Sequence, residues 1–129
     1  MPNSGLIDEP TRGVYVISIT PFAEDGSIDF KSVDSLVEFF LEKGVTGITI
    51  LGMMGEANKL SANESREFVK HILKRVNGRV PVIAGVTDAG IANLVNLSRF
   101  SMDEGCAGVM VAPATGLNTD QKLYDYYAQ

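Results

Sequence analysis

Lys43-Gly-Val-Thr-Gly-Ile-Thr-Ile-Leu51 lines up without a gap on Glu104-Gly-Cys-Ala-Gly-Val-Met-Val-Ala112, an offset of 61 residues. In each copy a glycine follows a charged residue, and a second glycine opens an apolar run. The pattern predicts a helix stop followed by a buried strand. Four runs rich in Val and Ile lack the alternation of a half-exposed strand: Val14 to Thr20, Gly47 to Leu51, Val80 to Val86 and Gly108 to Ala112. Such runs suit strands covered on both faces, as in parallel sheets.

Helical spacing fills the gaps. Phe30, Val33, Leu36, Val37, Phe40 and Leu41 make one apolar stripe, with Asp29 as N-cap and Gly44 past the end. Ser61-Ala-Asn-Glu64 has the spacing of a capping box, and Phe68, Val69, Ile72, Leu73 and Val76 continue that helix to Gly78. Ile91, Leu94, Val95, Leu97 and Met102 carry a third helix to Gly105, and a fourth starts near Thr119. The order is β-α-β-α-β-α-β-α, an α/β chain.

The internal repeat spans two β/α units. Alternate strands share an interior layer in a (β/α)8 barrel, so the repeat favours a TIM barrel over an open doubly wound sheet, the other architecture this order allows. A whole barrel takes roughly 250 residues. The expectation is therefore one domain, residues 1–129, forming the first four β/α units, or half a barrel. Asp120 to Gln129 reads as three turns of a helix without a stop signal, so the chain is expected to be part of a longer one or a half that pairs.

Composition narrows the function. With 45% hydrophobic and 21% charged residues and a net charge of −5, the chain reads as a folded protein. Its scattered bases do not suit nucleic acid. The stretch Gly44 to Gly55 is too short and glycine-rich to span a bilayer, and the first residues do not resemble a secretory signal. One cysteine, Cys106, and one histidine, His71, rule out an internal disulfide and a zinc cluster, so no metal is expected and the cytoplasm fits best.

In a barrel, reactive groups gather at the carboxyl ends of the strands. Four tips are Thr20-Pro-Phe22, Gly52-Met-Met-Gly-Glu56, Gly85-Val-Thr87 and Pro113-Ala-Thr115. The second is the main candidate: its glycines permit a tight turn that leaves the amides of Met53, Met54 and Gly55 to donate to a carboxylate. The plainer alternative is that the two methionines fill the barrel mouth. Glu56 reads as a cap for free amides rather than a general base, and Thr20 and Thr115 as hydroxyl donors or local backbone partners. His71 lies on the exposed flank of its helix and has no assigned role. Lys59 reads as a solvated loop lysine, and every other lysine falls on a helix or its end.

Several segments in order resemble the dihydrodipicolinate synthase / N-acetylneuraminate lyase family: Ile19 to Asp29, Gly44 to Glu56 with Leu60-Ser61, Val80 to Gly85, and Gly105 to Pro113. The likeness is nearly gapless from Gly13 onward. It implies a TIM barrel, a homotetramer, and a lyase that binds pyruvate or another 2-oxo acid as a Schiff base on a lysine, with no separate cofactor. The family's imine lysine lies on the sixth strand and its catalytic tyrosine on the fifth, both beyond Gln129. The loop Gly52 to Gly55 corresponds to the family's carboxylate-holding loop, where Thr-Thr or Ser-Thr usually stands in place of Met53-Met54. Thr115 matches a tyrosine that relays protons in dihydrodipicolinate synthases. A thioether cannot pass a proton. These two departures imply a lyase with a different second substrate, and the alternative is a non-catalytic member acting as a binding subunit or scaffold.

Overall fold

The computed structural model describes residues 5–129. The chain forms β1 (Tyr15–Ile17), α1 (Phe30–Glu42), β2 (Gly47–Ile50), a short 3-10 turn (Ala57–Lys59), α2 (Ala62–Val76), β3 (Val82–Gly85), α3 (Ile91–Glu104), β4 (Gly108–Met110) and α4 (Asp120–Ala128). All strand pairs are parallel, in the order β1-β2-β3-β4. Sequence order and spatial order coincide. That is the wall of a barrel; a doubly wound sheet would place a later strand outside β1.

The helix ends follow local chemistry. Asp29 accepts the amide of Ser32 and opens α1, and its hydrogen bond from the Ser32 hydroxyl holds its carboxyl below the usual range. Ser61 and Glu64 form the full capping box. The repeat maps onto equivalent turns: Gly44 and Gly105 both have positive φ, +76° and +111°, where a helix ends before β2 and β4. The second helix stops one residue earlier than expected, with Asn77 left-handed ahead of Gly78.

The core lies between sheet and helices. Ile48, Ile50, Val82 and Ala84 pack with Val33 and Val37 of α1 and with Phe68, Val69, Ile72 and Val76 of α2. Alternation then turns Ile17, Thr49 and Ile83, which share one row of the register, to the opposite face. The central strands are covered, but β1 and β4 pair on one side only, and Ile17 and Met110 are 47% and 42% exposed. Burial of all four strands, expected from their apolar runs, holds for β2 and β3 alone. The strands are also shorter than the runs: Pro81 has no amide to donate, so β3 begins at Val82.

Side chains tie α1 to α2. Glu38 receives Arg75 and Arg79, and the Arg79 hydrogen bond keeps its carboxyl low. His71 is not on a free flank: its Nε2 lies 2.6 Å from Asp34 Oδ1, and its ring packs on Phe30. No helix among the described residues is long and apolar enough to cross a membrane.

Candidate functional site

The tip of β2 is a closed loop. Leu51 leaves the strand at φ 56° and Glu56 leaves the loop at φ 54°, two non-glycine residues in the left-handed region. Such strain persists only where the surroundings over-determine it, and it gathers at binding sites. Between them the Gly55 amide donates to the Gly52 carbonyl at 3.1 Å, and the Glu56 amide to the Met53 carbonyl at 3.1 Å. The amides of Met53 and Met54 make no hydrogen bond among the described residues. Of the three amides expected to be open, Gly55 is therefore already used, because a turn this tight closes on its own carbonyl. Two remain. Adjacent main-chain N–H groups with no partner are available to an anion.

The elements on either side set this shape. From the end of β1, the Thr20 hydroxyl donates to the Gly55 carbonyl at 2.7 Å, and Thr20 is 4% exposed. At the end of β3, a Cβ on Gly85 would fall 2.3 Å from the Leu51 carbonyl oxygen, so this position admits the loop only as glycine. Gly52 lies over the apolar side of the sheet: a Cβ there would meet Met110 Cε at 3.5 Å and Ile17 Cγ2 at 3.9 Å.

Several expectations need correction. Glu56 caps no helix with its side chain; it pairs with Lys59, a lysine that remains solvated. The left-handed backbone at Glu56 turns its carboxylate along the 3-10 turn. Met53 is 95% exposed and Met54 58% among the described residues, which form only half of a barrel mouth. Thr20 spends its one proton inside the fold. Thr115 lies in the exposed turn after β4 and makes no side-chain hydrogen bond among the described residues, so it joins neither Thr20 nor the β2 loop there. Thr87 accepts the Ala112 amide at 2.8 Å, tying the third tip to the fourth. Leu51 carried no sign in the sequence of its left-handed backbone.

Two other places hold reactive residue types without a clear chemistry. Cys106 is buried, and burial pushes its thiol up to about 11, which keeps it protonated and inert. A hollow of about 790 Å³ opens at the opposite rim among Tyr15, Thr46, Pro81 and Ala107. Its arginines are occupied: Arg12 donates to the Glu9 and Thr11 carbonyls, and Arg79 to Glu38 and the Val76 carbonyl. Volume favours that rim, but unpartnered donors favour the β2 tip, and recognition of an anion needs donors. No group of three or more His, Cys, Asp or Glu comes together as a metal-ligand set among the described residues.

Comparison with known proteins agrees on one group. The profile of the dihydrodipicolinate synthetase family matches residues 10–129. A 4-hydroxy-tetrahydrodipicolinate synthase of Kosmotoga olearia is 37% identical over 117 residues, covering 90% of this chain and 40% of that protein. The crystal structure of dihydrodipicolinate synthase from Rhodopseudomonas palustris superimposes with a TM-score of 0.88 at 43% identity, over 92% of this chain and 39% of that one. YagE of E. coli K12, a prophage protein of the dihydrodipicolinic acid synthase family solved with pyruvate, gives a TM-score of 0.85 at 26% identity, over 94% of this chain and 41% of its own. The chain thus spans about 40% of the length of the curated relatives it matches.

Proposed function

The chain belongs to the dihydrodipicolinate synthetase family, and we propose on that premise that the polypeptide carrying it is a lyase acting on pyruvate or a related 2-oxo acid through an imine. The observation that supports this reading is the pair of open amides at Met53 and Met54, at the carboxyl end of β2, where a barrel keeps its chemistry. They would take the carboxylate of the 2-oxo acid, and the carbonyl carbon would then face a lysine. The amine adds to that carbon and water leaves. The protonated imine withdraws electrons from the next carbon, so a C–H or C–C bond there can break to give an enamine.

None of β1 to β4 carries a lysine, so the amine is assigned to a strand outside these residues, with the chain acting as the amino-terminal half of a barrel. Assembly as a homo-oligomer, a tetramer by family resemblance, and a cytoplasmic setting belong to the same proposal.

The second substrate divides the indications. The Kosmotoga olearia relative is named for one product, 4-hydroxy-tetrahydrodipicolinate. Against that, Met53 and Met54 offer no hydroxyl for a proton relay at the site mouth, and Thr115 stands apart from them. We assign a different or less polar second substrate on those residues alone. A non-catalytic binding subunit is the alternative reading, favoured by the same loss of hydroxyls.

Borohydride trapping tests the proposal. In the polypeptide carrying this chain, pyruvate and borohydride should add a reduced adduct to one lysine, read by mass spectrometry. No adduct with any 2-oxo acid, while pyruvate still binds, would leave the binding-subunit reading in its place.

A further inference from the structure

We infer that Thr20 is a positioning residue for the carboxylate cradle: from the segment that follows β1 it fixes the β2 loop in the shape that leaves the Met53 and Met54 amides open, without touching the ligand itself. This rests on the reading of that loop as the carboxylate site.

The Thr20 hydroxyl has one proton, and it goes to the Gly55 carbonyl at 2.7 Å. With Thr20 4% exposed, water does not compete for that carbonyl. Gly55 is consequently held at both ends of its own residue, its amide by Gly52 and its carbonyl by Thr20. The segment between Gly52 and Gly55 becomes a closed bight whose two intervening amides have no internal acceptor. Left-handed backbone at Leu51 and Glu56 works against this shape and needs restraint from outside the loop. Gly85 restrains the Leu51 end only by leaving room, and the Lys59 pair on Glu56 is solvent-exposed. Thr20 supplies the buried hydrogen bond from another element. A valine there would keep the shape of the side chain and leave the Gly55 carbonyl buried without a donor.

The test uses the polypeptide carrying this chain, labelled with 15N-methionine, and pyruvate as probe. Saturable shifts of the Met53 and Met54 amide signals report carboxylate binding and need no imine. Thr20→Val should raise the half-saturating pyruvate concentration about tenfold, the usual scale for one lost buried hydrogen bond. Thr20→Ser, which keeps the hydroxyl, should restore it. In borohydride trapping, half-saturation by acetaldehyde, which has no carboxylate, should stay unchanged in Thr20→Val. A Thr20→Val protein that saturates with pyruvate normally, or that weakens toward acetaldehyde in parallel, overturns the proposal. So does the absence of any amide shift in the unsubstituted protein. If the unsubstituted protein shifts but traps no carbonyl, the imine reading fails by itself, and the amide titration of the two variants still decides the role of Thr20.

Discussion

Gly85→Ala puts the contact between fold and site under direct strain. The new Cβ would stand 2.3 Å from the Leu51 oxygen, 2.7 Å from the Leu51 carbonyl carbon and 3.1 Å from the Gly52 nitrogen. All three are backbone atoms, so no rotamer change relieves them. Restoring ordinary contact at 3.4 Å requires the end of β3 and the β2 tip to separate by about 1 Å, directly beyond the last paired residues of their parallel ladder. Overpacking of this kind costs about 1–3 kcal/mol, and the lower entropy of the unfolded alanine chain returns about 0.4–1. The expected net loss is about 1–2 kcal/mol in urea unfolding of the polypeptide carrying this chain. Gly52→Ala is the control, because its Cβ meets Met110 Cε at an ordinary 3.5 Å and Gly52 has no positive φ. It should cost less than Gly85→Ala. Because the displaced atoms include Leu51, Gly85→Ala should also move the Met53 and Met54 amide signals. Stability equal to that of Gly52→Ala, with those signals in place, would refute the claim that glycine at β3 sets the loop.

Phe68→Ala removes the largest fully buried side chain and should destabilise by about 3–5 kcal/mol, measured by the same urea unfolding. Ser61→Ala breaks the capping box of α2 and should cost about 1 kcal/mol, while Ser61→Gly should cost only a few tenths. Cys106 should resist iodoacetamide at pH 8 in the native state and react on unfolding, as followed by mass spectrometry. Its folded pKa, about 11, lies above the ordinary 9.0, so the associated stability is present below pH 9 and is lost as pH rises through 11. A base-unfolding curve that shifts upward in Cys106→Ala would support that sign.

Local chemistry was legible in the sequence wherever neighbours along the chain decide the outcome. The Asp29 cap, the Ser61–Glu64 box and the left-handed glycines at 44 and 105 each depend on a few consecutive residues, and each formed as its sequence requires. The resemblance to the dihydrodipicolinate synthase family was carried by motifs of the same short range. Strand order was not local: the repeat favoured a barrel, but only the pairing β1-β2-β3-β4 excluded the doubly wound sheet. The site divides in the same way. Glycines around Met53 and Met54 announced a turn, yet which amides it leaves open depends on contacts reaching in from β1 and β3. Thr20 lies 35 residues from the Gly55 carbonyl it holds, and Gly85 makes room for the Leu51 carbonyl just past the end of β2. Hydrogen bonds along the chain are fixed by spacing, whereas the direction in which a loop presents its free donors is fixed by what packs against it.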